Sequence, residues 1–270
     1  MTQIPQLTDR TALTRHRARV CDPAALFLHA EAIAEIKDRL AMVNRSFTDV
    51  AIVTGQPHIW AEAFPGATVI SDEETLGLPA QGFDLVIHGM ALHWANDPVG
   101  QIIQCHRALR PDGLFHAVAL GGQTLTELRD ALTRAEVQLT GGLSPRVAPM
   151  AEIRDMGALL QRAGLALPVA DALPLTVSYR SARHLMHDLR AMGETNALAQ
   201  RHRRPAPRAL FELTDRLYAD AYPDGDRVRA TFELIFLSGW APHESQQKPL
   251  RPGSAAHSLA EALRPKTQDD

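Results

Sequence analysis

The chain has 270 residues, 45% of them apolar but only 5% aromatic, and a net charge of −3. That is enough apolar matter for one large domain or a core with an appended subdomain, and so balanced a charge excludes a global pull toward nucleic acid or an anionic membrane surface. Two cysteines, Cys21 and Cys105, give neither a disulfide framework nor a metal-ligand spacing, and no apolar run reaches the roughly 18 residues that span a bilayer.

Thr8 and Asp9 are capping residues for a first helix reaching about Val20. Arg10, Arg15, Arg17 and Arg19 form its polar face. A second helix over about residues 23–43 sets Ile33, Ile36, Leu40 and Val43 on one side. Residues 50–53 read as a buried strand, Pro57 opens a short helix over 58–63, and residues 68–70 are another strand that runs into Asp72, Glu73 and Glu74. Residues 83–88 are a third strand. Asp97 and Pro98 then start a helix marked by Val99, Ile102, Ile103, His106 and Leu109. A turn at Pro111, Asp112 and Gly113 leads into a fourth strand. Strands alternating with helices predict a mostly parallel sheet covered on both faces.

The second half has helices over about 124–139 and 150–163, a strand over 173–179, and helices over 182–192, 194–203 and 207–222. Val228, Ala230, Phe232, Leu234 and Phe236 alternate, which predicts an antiparallel last strand in the same sheet. A short helix near 255–263 precedes a polar end.

In open α/β sheets, ligands bind beyond the carboxyl ends of the strands. Those ends supply Thr54, Gly55 and Gln56, then Asp72 and Glu73, then His88, Gly89 and Met90, as candidate cofactor-binding residues. Glycines there permit close backbone approach, and a carboxylate accepts from a ribose hydroxyl or an adenine amine. His93 is a candidate general base, because an imidazole is the side chain whose unperturbed titration falls near neutral pH, and Trp94 is a candidate pocket wall. Two long Gly/Pro-rich loops carry Arg146, and His243, Glu244, Lys248 and Arg251, a set suited to an acidic or peptide partner. His184, His187 and Asp188 read as a solvated helix face, because no third metal ligand has a fitting spacing. Arg201, His202, Arg203 and Arg204 lack interleaved aromatics and read as a surface patch, not a nucleic-acid platform.

The stretch FDLVIHGMALHWANDPVGQIIQCHRALRPDGLF resembles the fourth strand, following helix and fifth strand of class I S-adenosylmethionine-dependent methyltransferases. GGQTLTELRDALTRAE, GGLSPRVAPMAEIRDMGALLQRAG, HDLRAMGETNA and SGWAPHESQQKPLRPGSA carry the resemblance further. They look like the branch that holds the biotin-synthesis carboxyl methyltransferase and the mitochondrial complex I assembly methyltransferase-like factor. The opening departs from that pattern. Where the family has a D-x-G-x-G-x-G loop, this chain reads AIVTGQPHIW, with one glycine. The interval from Gly55 to Thr68 is also too short for the family's full set of elements. Either residues 68–70 are the third strand and the second is lost, or they are the second, with Asp72 on the ribose, and the third is lost.

The resemblance implies an α/β, Rossmann-like class I sheet, mostly parallel with an antiparallel last strand, abbreviated in its N-terminal half and carrying a helical insertion. Expected units are N-terminal helices over 1–45, the methyltransferase-like domain over 46–240 with a lid at about 181–222, and a loop and tail over 241–270. It implies S-adenosylmethionine as cofactor and methyl transfer to a protein or small carboxylate. Two further readings follow. One is a cofactor-deficient assembly factor whose partner is a respiratory complex I subunit. The other is an arginine-modifying, hydroxylase-like relative, for which Asp72, His88 and His93 would have to converge on a metal. Two cysteines without a disulfide framework fit a reducing compartment, and the lack of a convincing transit peptide over the N-terminal arginines sets the expectation of a cytoplasmic protein.

Overall fold

A computed structural model describes residues 6–247. The first helix, α1 (Arg10–Arg17), is capped by the Asp9 carboxylate on the Ala12 amide, as its sequence predicts. A 3₁₀ turn over Pro23–Leu26 leads into α2 (Phe27–Met42). Then follow β1 (Val50–Thr54), α3 (Pro57–Ala63), β2 (Thr68–Ile70), β3 (Phe83–Gly89), α4 (Pro98–Ala108) and β4 (Leu109–Leu120). The second half runs α5 (Thr126–Thr140), α6 (Ile153–Arg162), β5 (Ala166–Tyr179), α7 (Ala182–Ala191), α8 (Arg208–Ala221), β6 (Pro223–Asp224) and β7 (Arg227–Trp240).

The sheet order is β2-β1-β3-β4-β7-β5, with β6 paired to β7. The first three pairings are parallel, and β7 is antiparallel to both β4 and β5. β2 lies directly beside β1, so by position it is the neighbour that carries Asp72, and no strand lies beyond it among the described residues. A doubly wound sheet of order 3-2-1-4-5-6 has one more strand at that edge. The abbreviation is therefore an edge strand missing, not a gap inside the sheet.

Alternation along the strands divides the core. Ile52, Leu85, Ile87, Val118 and Phe236 face α2, α3 and α5. Ala51, Val53, Val86, Phe115 and Ala117 face α4 and α6. All seven residues of β3 are buried, as a central parallel strand requires.

Two expectations change. β5 starts at Ala166, well before the predicted position; its first half is an edge with exposed Leu167 and Val169, so burial leaves no alternation to read. Pro168 and Pro174 in that edge strand remove donors that a stray strand would use. Residues 194–203 do not form a helix. Gly193 turns the chain at φ +81°, and the next residues pair with the N-terminal segment: the Asp9 amide donates to Ala197 O and the Ala199 amide to Leu7 O. Local helix propensity yields there to a long-range backbone pairing. The helix expected at 255–263 lies outside the described residues.

Candidate functional site

β1, β2, β3 and β4 end at one edge, where Thr54 is level with Gly89 and Gly89 with Val118. The predicted cofactor residues are therefore brought together, and the structure shows what each one touches. The Gln56 amide donates to Thr54 Oγ1 at 3.2 Å, closing a tight turn around Gly55. His88 is fully buried, with Nε2 2.7 Å from Gln101 Oε1; burial lowers its pKa, and its Nδ1 has no partner. Gln101 Nε2 in turn donates to Glu73 O at 3.1 Å. Met90 is buried at φ +52°. A Cβ on Gly89 would lie 2.5 Å from Trp60 Cζ2, so the indole of α3 fills the space that this glycine leaves. Trp60 Nε1 donates to His29 Nδ1 at 3.0 Å, and burial holds His29 at a pKa of about 4.

Asp72 is the centre of the arrangement. Arg17 Nη1 donates to Oδ1 at 2.7 Å and Arg10 Nη1 to Oδ2 at 3.1 Å, while Arg10 Nη2 reaches Asp72 O at 2.6 Å. Burial alone would raise the carboxyl; the two guanidiniums outweigh it and hold the pKa at about 2. Arg17 also lies against Gly55 so closely that a methyl group there would collide with its guanidinium. Arg10 and Arg17 are seven residues apart, two helical turns, so one face of α1 delivers both.

The segment is tied down along its length. The Leu7 and Thr8 amides donate to Asn96 Oδ1 at 2.9 and 2.8 Å, and Arg201 Nη2 reaches Asp9 Oδ2 at 2.9 Å. His16 Nδ1 is 3.1 Å from Thr195 O. A Cβ on Gly193 would lie 3.1 Å from Arg17 Cα, so the chain passes close to α1 at a residue without a side chain.

With α1 docked, Arg17 covers the Gly55 turn while its guanidinium is bonded to the Asp72 carboxylate.

His93 and Trp94 both reach Glu194, just past the end of α7. Trp94 Nε1 donates to Glu194 Oε2 at 2.7 Å, and His93 Nε2 is 3.4 Å from the same oxygen. The Leu120 amide points to His93 Nδ1 at 3.4 Å, so both ring nitrogens are engaged and the ring is oriented, not free. Burial would raise the Glu194 pKa, but His93, Arg17 and Trp94 together lower it. Asp72, His88 and His93 therefore do not converge on a common point: each faces a different partner. Among the described residues no group of three or more His, Cys, Asp or Glu is placed to hold a metal.

Beyond the end of β4, a cavity of about 470 Å³ opens between α5, the loop before α6, α7, the segment after it and the start of α8. Trp94 and Glu194 form its inner end, and Arg146 is on its wall with Nη2 2.5 Å from Glu136 Oε1. His243 and Glu244 lie elsewhere. His243 Nδ1 is 2.7 Å from Ser245 Oγ, and Gln246 Nε2 donates to Asp112 Oδ1 at 2.9 Å, at the opening of β4. The strand from Leu114 to Leu120 separates the two places by about 20 Å. The two loops expected to share one partner do not meet; Lys248 and Arg251 fall outside the described residues. Arg10, Arg17, Trp60 and Glu194 were not among the sequence candidates. The traceable signal was the arginine pair two turns apart.

A family described as Methyltransferase domain matches residues 30–117. The mitochondrial arginine-hydroxylase NDUFAF5 of Dictyostelium discoideum is 40% identical over 192 residues, covering 70% of this chain and 44% of that protein. The Homo sapiens protein of the same name is 38% identical over 198 residues, covering 73% of this chain and 57% of that protein. A malonyl-[acyl-carrier protein] O-methyltransferase of Laribacter hongkongensis is 34% identical over 187 residues, with coverages of 69% and 61%. The chain thus spans 44 to 61% of the length of these relatives. Among solved structures, the YcgJ protein of Bacillus subtilis superposes with a TM-score of 0.52 at 13% identity, covering 79% of this chain and 99% of that one, which shows the fold. The cytoplasmic expectation is corrected by these matches: the NDUFAF5 relatives are mitochondrial proteins, and the similarity points to that compartment. Free thiols do not separate the two, since both are reducing.

Proposed function

This chain belongs to the class I S-adenosylmethionine-dependent methyltransferase family, and we propose that it is an assembly factor for respiratory complex I whose donor site is shut by α1. The observation that carries this is Arg17, which lies against Gly55 while bonded to Asp72. S-adenosylmethionine is the family's cofactor, and Thr54, Gly55, Gln56, Asp72, Glu73, His88, Gly89 and Met90 are the positions proposed to meet it once α1 has left. Admission of the donor requires two guanidiniums to release a buried carboxylate. An uncompensated buried charge costs several kcal/mol, so the closed form persists unless something replaces those contacts. The complex I role is supported by similarity to the NDUFAF5 proteins and by a substrate half that is complete while the donor half is abbreviated.

The residues then have separable tasks. Asp72 holds α1 in place, while Glu194 orients His93 and Trp94 at the inner end of the open cavity. Water exclusion around Asp72 and Glu194 makes both interactions stronger than they would be at the surface.

The test is calorimetric titration and thermal shift with S-adenosylmethionine and S-adenosylhomocysteine on the wild type and on R10A/R17A. The wild type is expected to give no heat and no shift; the variant, with its site cleared, is expected to be stabilised by either ligand. Equal binding by both proteins, or binding by the wild type that is lost in the variant, would overturn the gate.

A further inference from the structure

The cavity beyond β4 has an apolar floor and a cationic mouth. Leu125, Leu128 and Leu132, with Met186, Leu189 and Phe211 from the lid, form the floor. Arg190, His202 and Arg204 stand at the mouth, all exposed. Arg201 and Arg146 also line the cavity, but they are neutralised by Asp9 and Glu136. Among the described residues Arg190 and Arg204 form no ion pair. Glu194 is the acidic residue of the lining, and Trp94 and His93 already occupy it. Two uncompensated guanidiniums therefore face outward above a greasy pocket. The basic run read from sequence as a plain surface patch is the source of one of them.

We infer that this cavity receives an acidic peptide segment of a protein partner, an apolar side chain on the floor and carboxylates on Arg190 and Arg204. This rests on the reading of the chain as a partner-binding factor and names the chemistry of the partner. A pocket of 470 Å³ suits one or two large side chains. Guanidinium forks match carboxylates in geometry as well as charge. A basic segment would set like charges against the mouth, and a fully polar one would leave the leucines uncovered.

Three fluorescein-labelled octapeptides test this by anisotropy against the full chain: Glu-Asp-Leu-Glu-Glu-Phe-Glu-Asp, the same with Leu and Phe replaced by Gly, and the same with every acid replaced by Lys. The first is expected to bind saturably and to weaken about tenfold, or 1.4 kcal/mol, in R190E/R204E. The second and third are expected not to saturate. Both substituted side chains are exposed, and circular dichroism confirms the variant's fold. Absence of saturation by the first peptide, equal binding of the glycine peptide, equal binding by R190E/R204E, or displacement by laurate would overturn the assignment, the last in favour of a small amphiphile. The donor titration reads the other end of the edge. A failed gate with peptide binding intact strikes only the gate, and lost peptide binding with the gate intact strikes only the cavity.

Discussion

The two halves of one sheet edge differ in what fills them. At β1, β2 and β3 the space is closed by the chain itself: Trp60 packs on Gly89, Arg17 on Gly55, and two arginines neutralise Asp72. At β4 the space is open, with leucines below and, above them, Arg190 and Arg204, which form no ion pair among the described residues. The closed half is sealed by compensated charge, while the mouth of the open half carries Arg190 and Arg204 without an ion pair among the described residues, so a ligand gains contacts at the second and must break them at the first.

The sharpest way to break that contrast is at the seal. Trp60→Ala removes a fully buried indole and leaves His29 without its donor; a loss of about 3–5 kcal/mol is expected in chemical denaturation. A loss under about 1 kcal/mol would mean that the closed half is loosely packed. Asp72→Asn should cost about 3 kcal/mol, because two guanidiniums lose their buried counter-charge. Charge reversal at the exposed Arg190, by contrast, should leave stability within about 0.5 kcal/mol.

Acid should also separate the groups. His29 and His116 are buried, which takes each from an ordinary 6.5 to about 4. Between those values the unfolded chain binds more protons than the folded one, so stability rises with pH there and is lost as pH falls from 6.5 toward 4. Asp72, depressed from 3.8 to about 2, adds a second loss below that range. His116→Phe should shallow the first slope and Asp72→Asn the second, read as unfolding free energy against pH. An unchanged first slope in His116→Phe would contradict the burial of a neutral imidazole on β4. The smallest effect is expected at Arg203, 73% exposed and 3.5 Å from Asp9. Arg203→Ala should change stability by less than about 0.5 kcal/mol.

Much of the closed half could be read from the chain before folding, but not what closes it. The strand runs, the Asp97 cap and the alternation of β7 are local or periodic signals, and each maps directly onto the structure. The loss of loop glycines was visible as well. Its consequence was not, because Arg10 and Arg17 meet Asp72 across 62 and 55 residues, and such pairs leave no periodic trace. Residues 194–203 misled for the same reason: helix-forming side chains there are overruled by backbone bonds to Leu7 and Asp9. Trp60 sat in a short helix whose sequence does not say which way the indole points. Glu194 as the contact of His93 and Trp94 needed the fold, because it meets them across about a hundred residues.

The most direct measurement is amide hydrogen exchange along α1 in the wild type and in Asp72→Asn. If α1 is docked through Asp72, the hydrogen-bonded amides of Leu13 and its neighbours exchange about a hundredfold more slowly than in a free peptide, and Asp72→Asn removes most of that protection. Exchange of α1 at peptide rates in the wild type would contradict the account, because Gly55 and Asp72 would then stand uncovered.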